Sequence, residues 1–113
     1  MIHDAGYVHN DVKPSNIMFD SCKKLHLIDF GFATKYVDDK RKHILKGQVE
    51  KFKGNIQFAS VNQLGFNKTS RRDDVISLLY LLVYLLNGIE VVNIDDKMTL
   101  HEKIYIMQEI KEK

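Results

Sequence analysis

A short polar stretch near the N-terminus carries side chains that together could transfer a phosphoryl group. Residues 9–16 read HNDVKPSN (the HNDVKPSN loop), and the tripeptide DFG begins thirteen positions later. Phosphoryl transfer needs a carboxylate that accepts the proton of the attacking hydroxyl, a cation near the phosphate, and hard oxygen ligands for Mg²⁺. Asp11 would be the base and Lys13 the cation. Asn16 and Asp29 would be the two magnesium ligands.

The neighbouring elements would bring these side chains together. Pro14, the only proline of the chain, favours a rigid irregular loop over a helix or a central strand. Residues 16–20 and 24–30 are short, rich in Ile, Leu and Phe, and separated by the turn-like DSCKK, so they predict a β-hairpin. This hairpin would place Asn16 beside Asp29.

Two helices are predicted in the C-terminal half. Residues 71–87 are apolar on every face for about three turns, which predicts a central helix buried on all sides, with Gly88 as its stop. Ser70 and Asp73 would form a variant capping box at its start. A last helix, residues 99–112, begins with the capping box TLHE. Its inner stripe would consist of Leu100, Ile104, Met107 and Ile110.

Composition sets limits on the class of protein. The chain has 113 residues and is 44% hydrophobic, which fits at most one domain with a normal core. The chain contains seventeen Lys and Arg and fifteen Asp and Glu, and this near balance of charge does not indicate a nucleic-acid partner. The single cysteine, Cys22, favours a reducing compartment, cytoplasmic and/or nuclear. No apolar run reaches the ~20 residues of a membrane span.

The ordered motifs resemble those of eukaryotic protein kinases, in which HNDVKPSN and DFG look like the catalytic loop and the magnesium motif. Three longer stretches are similar to casein kinase 1: GYVHNDVKPSNIMF, LIDFGFATKY and GNIQFASVNQLGFNKTSRRDDVISLLYLLVYLLNG. ASVN stands where other kinases have Ala-Pro-Glu. The resemblance implies an α+β protein kinase-like fold, represented here by its mostly α-helical C-terminal lobe with one small β-hairpin.

The resemblance also divides the chain. Residues 1–113 would be a partial kinase domain, with catalytic loop 9–16, magnesium motif 29–31, activation and substrate-binding segment 32–62, central helix 71–87 and last helix 99–112. The Gly-rich nucleotide loop, the strand lysine and its partner glutamate have no counterpart in the printed sequence. We therefore expect the N-terminal lobe to be absent from the chain and the chain to be inactive alone.

Site residues and cofactors follow from the same resemblance. It implies ATP and Mg²⁺ as cofactors, with Asp11 and Lys13 catalytic and Asn16 and Asp29 binding the metal. His9, Gly31 and Asp74 match positions that support the site.

Two positions depart from the family pattern. Asn10 stands where the family has Arg, which predicts that phosphorylation of the activation segment does not control this chain. Asn55 stands where the family has Thr, and its amide could replace the Thr hydroxyl as a donor.

The substrate class is predicted from a basic region. Residues 35–53 contain seven Lys or Arg against three Asp or Glu and are predicted to form a long loop. Arg71 and Arg72 would either pair with nearby carboxylates or, as the resemblance implies, help to bind anions. In the second case the partners would be protein substrates that are acidic or already phosphorylated.

Two other function classes stay open. Small-molecule kinases of the choline or aminoglycoside type also use a His-x-Asp loop with a following Asn, although Lys13, DFG and SRRDD favour a protein kinase. A non-catalytic pseudokinase or interaction fragment is the other alternative.

Overall fold

The computed structural model of the chain describes residues 2–87 and 99–112. Short strands and helices alternate with loops in these ranges. In chain order they are β1 (Tyr7–Val8), a 3₁₀ turn (Pro14–Asn16), β2 (Ile17–Phe19), β3 (Leu25–Leu27), β4 (Thr34–Lys35), α1 (Val61–Leu64), α2 (Arg71–Asn87) and α3 (Leu100–Lys111). The described residues therefore combine helices with small antiparallel strands, as expected for a partial α+β kinase fold.

The predicted β-hairpin is present, with strands shorter than predicted. β2 pairs antiparallel with β3, so that Ile17 lies opposite Leu27. The Ile28 N–H donates to the Asn16 carbonyl (2.8 Å), which extends the pairing toward DFG. The end of the HNDVKPSN loop therefore lies next to the residue that precedes Asp29.

A second antiparallel pair adds to the single hairpin that the sequence predicts. In it, Tyr7 of β1 lies opposite Lys35 of β4, and Val8 lies opposite Thr34. Strands of two residues are too short to show the alternation by which a strand is identified in a sequence. This pair connects the residues before the HNDVKPSN loop to those that follow DFG.

Helix α2 is not buried on all sides, and that prediction is wrong. Leu81 is 2% exposed, whereas Leu82 is 46% exposed and Leu86 is 85% exposed. The buried positions form one stripe at helical spacing that includes Asp74, Ser77 and Leu81. Burial on every face needs packing partners all round the helix, and the described elements cover one side only.

The beginning of α2 is tied to α1 through Asp73. Its Oδ2 accepts the Ser70 N–H (2.8 Å), which is the back-reaching contact of the predicted capping box. Its Oδ1 accepts the hydroxyl of Ser60 (2.6 Å), the residue that caps α1. Asp73 therefore fixes both helix starts. Gly88, the predicted stop of α2, lies outside the described residues.

Helix α3 begins as predicted and packs against α1. The capping box of Thr99 and Glu102 is present in full. Ile104 and Met107 are buried, but the other two members of the predicted stripe, Leu100 and Ile110, are exposed. One hydrophobic cluster joins α1 to α3 and consists of Ala59, Leu64, Ile104 and Met107. A second joins the HNDVKPSN loop to α2 and consists of Val12, Phe58 and Leu81.

The predicted basic loop is largely irregular. Beyond β4, residues 36–53 form only isolated bridges, in which Val37 pairs with His43 and Gln48 with Asn67. None of the described helices combines the length and the apolar character needed to cross a bilayer.

Candidate active site

The HNDVKPSN loop is held against helix α2 by the carboxylate of Asp74. Asp74 Oδ2 accepts the backbone N–H of His9 (2.7 Å), and Oδ1 accepts that of Asn10 (2.9 Å). The Nε2 atom of His3 lies 2.8 Å from Oδ2. Both backbone bonds are buried, where bonds to an ionised acceptor are strong. The loop therefore has a fixed position on the helix.

His9 connects the loop to the residue before DFG. Its Nδ1 accepts the Asp11 N–H (3.1 Å), and its Nε2 lies 2.9 Å from the Ile28 carbonyl. Because a backbone N–H can only donate, Nδ1 is the unprotonated nitrogen, and Nε2 donates to the carbonyl. The ring is fully buried and packs edge-on against Phe30. His9 therefore fixes the position of the chain that leads into Asp29.

Asp11, Lys13 and Asn16 form one polar cluster. The Asn16 Nδ2 donates to the backbone carbonyl of Asp11 (2.8 Å) and to its carboxylate Oδ2 (3.0 Å). The Lys13 Nζ lies 3.9 Å from the same Oδ2. Asp11 and Asn16 are each 4% exposed, whereas the Lys13 side chain is 31% exposed. A fixed carboxylate therefore faces a cation that reaches solvent.

The Asp11 carboxyl has the properties of a general base. Burial raises its pKa, the Lys13 ammonium and the Asn16 amide oppose that rise, and Asp29 adds to it. Its Oδ1 is buried and has no hydrogen-bond partner among the described residues. A higher pKa makes the carboxylate a stronger base.

Asp29 lies at the exposed side of the cluster. Its φ of +60° is in the left-handed region, which Asp adopts more readily than most residues. Its Oδ1 accepts the Gly31 N–H (3.2 Å), and a Cβ added to Gly31 would lie only 3.2 Å from that oxygen. A side chain at position 31 would crowd the carboxylate, so the glycine leaves it accessible.

The donor atoms of Asn16 and Asp29 suit a magnesium nucleotide. Mg²⁺ prefers oxygen ligands and keeps several waters or phosphate oxygens in its shell. Both bonds that Asn16 donates use its nitrogen, so its carbonyl oxygen is the atom able to ligate a cation. Within residues 2–87 and 99–112, no three His, Cys, Asp or Glu side chains converge on a metal position.

Asn10 joins three segments around the loop, a role that sequence reasoning missed. Its Nδ2 donates to the Phe32 carbonyl (2.8 Å) and to the Thr34 hydroxyl (2.9 Å), and its Oδ1 accepts the Thr69 hydroxyl. Its φ of +72° is a conformation in which Asn is enriched. Neutral hydrogen bonds thus connect the loop, the residues after DFG and the approach to α2. No contact of Asn10 tests whether phosphorylation of the activation segment controls this chain, so the expected lack of control stays a prediction.

Gln63 and Gly54 bring the segment before α1 onto the HNDVKPSN loop. The Gln63 Nε2 donates to the carbonyls of Asn10 (2.8 Å) and Lys53 (2.7 Å). Gly54 has a φ of +122°, and a Cβ there would collide with the Asn10 carbonyl oxygen. The position therefore requires glycine both for its backbone angle and for space. The only sign of this contact in the sequence is the glycine that precedes Asn55.

Asn55 has a local role in the structure. Its Oδ1 accepts the N–H groups of Gln57 (2.8 Å) and Phe58 (3.2 Å), which closes a turn. Asp11 Oδ1 has no partner in the described residues, so Asn55 does not donate to it in this conformation. The replacement of the threonine hydroxyl by the Asn55 amide stays a prediction.

A basic cavity of about 580 Å³ lies between the long loop and the start of α2. Its lining includes one acidic residue, Glu50, and six Lys or Arg: Lys35, Lys46, Lys51, Lys53, Lys68 and Arg72. Among these six, in the part of the chain that is described, only Lys35 has a carboxylate within 4 Å, that of Asp39. We refer to this space as the basic cavity. Ile44, Leu45, Val49 and Phe52 also line it, so the cavity combines an apolar surface with a surplus of cations.

The two arginines of the predicted anion site have different surroundings. Arg72 lines the basic cavity. Arg71 does not line it, and its guanidinium lies over the ring of Tyr36, 5.0 Å from the ring centre. The structure therefore brings Arg72 together with the lysines and leaves Arg71 in a cation–π contact.

Comparison with known proteins gives the class of the chain. The sequence profile of the family described as Protein kinase domain matches residues 1–113, so the chain belongs to the protein kinases. It is 37% identical over 84 residues to the probable casein kinase I homolog of Encephalitozoon cuniculi, an alignment that covers 74% of this chain. The chain is casein kinase 1-like, and it spans about a quarter (26%) of the length of that curated relative.

Proposed function

We propose that the protein containing this chain is a Ser/Thr protein kinase of the casein kinase 1 type, which transfers the γ-phosphate of ATP to protein hydroxyls. The observation that carries the proposal is the pair of Asp11 and Asn16: a buried carboxylate of raised pKa is held by the amide of the predicted metal ligand. Membership of the protein kinase family supports the same conclusion and favours it over a small-molecule kinase.

The division of the chain is part of this proposal. Residues 9–16 are the catalytic loop, residues 29–31 the magnesium motif, and residues 32–62 the activation and substrate-binding segment. Residues 71–87 and 99–112 belong to the helices of the large lobe. The contact of Asp74 with the loop backbone and the hairpin that leads to Asp29 support this arrangement.

The residues of the chain would divide the chemistry as follows. Asp11 would orient the substrate hydroxyl and take its proton on the carboxylate. Lys13, which reaches solvent, contacts the transferred phosphate. Asn16 and Asp29 would hold Mg²⁺ through their side-chain oxygens. When bound, the Mg²⁺–ATP complex supplies the phosphoryl group and neutralises charge on the phosphates.

Acidic or already phosphorylated protein substrates are the substrate class that we propose. The basic cavity supports this because its lysines and Arg72 lack ion-pair partners among the described residues, Lys35 excepted. It opens beside Asn10 and Thr34, which link the cavity to the HNDVKPSN loop. We further propose an intracellular location, cytoplasmic or nuclear, where ATP and such substrates occur together.

The function is tested with the full-length protein that contains these residues. Incubation with Mg-ATP and casein should give Ser/Thr phosphorylation, and the Asp11→Asn variant should not. Choline or an aminoglycoside offered in place of casein should remain unmodified. Phosphorylation of the small molecule would favour the small-molecule kinase, and nucleotide binding without any transfer would favour the non-catalytic alternative.

The 113-residue chain by itself should be close to inert. The residues that cover the phosphates of ATP in kinases, a Gly-rich loop and a strand lysine, are not among these 113. Asp11, Asn16 and Asp29 would then hold only the phosphate end of the nucleotide. Because misplacement by ~1 Å can cost 10²-fold in rate, half of a site should transfer little phosphate.

A further inference from the structure

The ammonium group of Lys111, in the last turn of α3, contacts a loop that is distant in the sequence, residues 56–59. Its Nζ donates to the backbone carbonyls of Ala59 (2.6 Å), Gln57 (2.8 Å) and, at longer range, Ile56 (3.4 Å). An ammonium has three N–H donors, so all of its donors can be used on this one loop. The group also lies 4.3 Å from the centre of the Tyr80 ring on α2.

This environment is unusual for a lysine. Burial lowers the pKa of Lys111 to about 7, and most lysines avoid such burial unless they are paired. Among the described residues no carboxylate lies within 4 Å of its Nζ. The charge is compensated instead by carbonyl dipoles and by the face of an aromatic ring. One side chain thus connects α3, α2 and the loop between them.

The loop that Lys111 contacts is held from its other side by Asn55. The Asn55 Oδ1 accepts the N–H groups of Gln57 and Phe58, while Lys111 donates to carbonyls of the same turn. Two N–H groups of this loop are therefore held by the Asn55 side chain, and three of its carbonyls are held by Lys111. The loop continues directly into Ser60, the cap of α1.

We propose that Lys111 is a positioning residue for substrate binding: it fixes the shape of residues 55–59, which lie within the proposed substrate-binding segment and of which residues 55–57 are partly exposed. This proposal rests on the proposed kinase function. Lys111 does not touch the reacting groups, and it acts through the backbone that it holds. Residues 55–59 begin just after Gly54, which packs on the carbonyl of Asn10, so the shape of this loop is set close to Asp11.

The test uses the full-length protein and two variants, Lys111→Met and Lys111→Arg. Lys111→Met keeps the apolar stem and removes the donors, so the KM for a peptide substrate should rise about tenfold, equivalent to ~1.4 kcal/mol. The KM for ATP should stay unchanged. Lys111→Arg keeps the charge and should recover part of the loss. Lys24→Met, an exposed lysine at the hairpin tip, is the matched control and should behave as wild type.

Amide hydrogen exchange distinguishes failure of the proposed role of Lys111 from failure of the proposed kinase function. In Lys111→Met, amides of residues 55–60 should exchange about tenfold faster, while those of the β2–β3 hairpin keep their protection. Faster exchange in a protein that has no kinase activity would show that Lys111 holds residues 55–59 but would remove the kinase function and, with it, the role in substrate binding. Unchanged exchange together with an unchanged peptide KM, in an active enzyme, would overturn the positioning role alone. If Lys111→Met does not fold, Lys111→Gln, whose shorter side chain cannot reach all three carbonyls, is measured in the same two ways, and wild-type values for both would overturn the role.

Discussion

The side-chain amide of Asn16 donates two hydrogen bonds to Asp11, one to its backbone carbonyl (2.8 Å) and one to its carboxylate (3.0 Å). Between them the chain is extended at Lys13 and then forms the 3₁₀ turn Pro14–Asn16. The predicted metal ligand therefore also sets the orientation of the predicted base. A substitution at Asn16 should affect both functions at once.

Replacement of Asn16 by Ala should lower kcat and raise the Mg²⁺ concentration needed for half-maximal activity. The rate should fall by about 10²-fold, because Asp11 loses the amide that orients its carboxylate. The measurement is a magnesium titration of the full-length enzyme with saturating peptide. His26→Ala on the exposed hairpin strand is the control. A variant with lower kcat and unaltered magnesium dependence would mean that Asn16 does not hold the metal.

Asp11 and Asp29 should differ in the kinetic parameter that they control. Asp11→Asn should lower turnover by ~10²–10⁴-fold with little change in nucleotide affinity, because it removes the base. Asp29→Asn should weaken Mg²⁺-dependent nucleotide binding, because it removes a ligand of the metal that bridges the phosphates. Nucleotide titration and steady-state rates of both variants check this. Wild-type activity of Asp11→Asn would remove the assigned roles.

The Asp11→Asn variant should be more stable than the wild type at neutral pH. Burial raises the pKa of Asp11, so its stabilising contribution is complete below the unfolded pKa of ~3.9 and is lost as pH rises through the folded pKa. The amide of the Asp11→Asn variant stays neutral as pH rises, so the variant does not lose this stability. Denaturation at pH 7 should therefore need more urea for the variant, and the difference should shrink as pH falls toward 4. A variant less stable than wild type at pH 7 would mean that the contacts of the charge with Lys13 and Asn16 outweigh its burial.

Neighbouring leucines of α2 should respond differently to truncation. Leu81 is 2% exposed, so Leu81→Ala should lower the free energy of unfolding by about 2–5 kcal/mol through lost burial and a cavity. Leu82 is 46% exposed, and Leu82→Ala should cost well under half as much in the 113-residue chain. Urea denaturation of the pair measures this. Equal losses for the two variants would show that the second face of α2 is also covered.

Charge reversal at Arg72 should alter substrate preference more than charge reversal at Arg71. Arg72 lines the basic cavity, whereas the Arg71 guanidinium lies over Tyr36. In the full-length enzyme, Arg72→Glu should reduce the preference for phosphorylated over unmodified peptides by about tenfold, and Arg71→Glu should reduce it less. The wild-type preference should fade toward about 0.5 M salt, where exposed charges are screened. Peptide preference unchanged by both substitutions would exclude the anion site.

Local sequence features predicted the local elements. Alternating apolar residues around a turn predicted the β2–β3 hairpin, and TLHE predicted the start of α3, because both signals are complete within a few residues. The spacing of Asp11 and Asn16 was equally local. By contrast, the β1–β4 pair was missed because strands of two residues show no period.

The sequence by itself predicted which residues would carry the chemistry, and it determined the local elements that flank them. Only the tertiary structure decided which side of α2 is buried, that Asn10 bridges three segments, and that Lys111 reaches Ala59. The physical reason is distance along the chain. A capping box or a turn is completed by neighbours within a few residues, whereas burial and a buried cation depend on elements that meet only when the whole chain has packed.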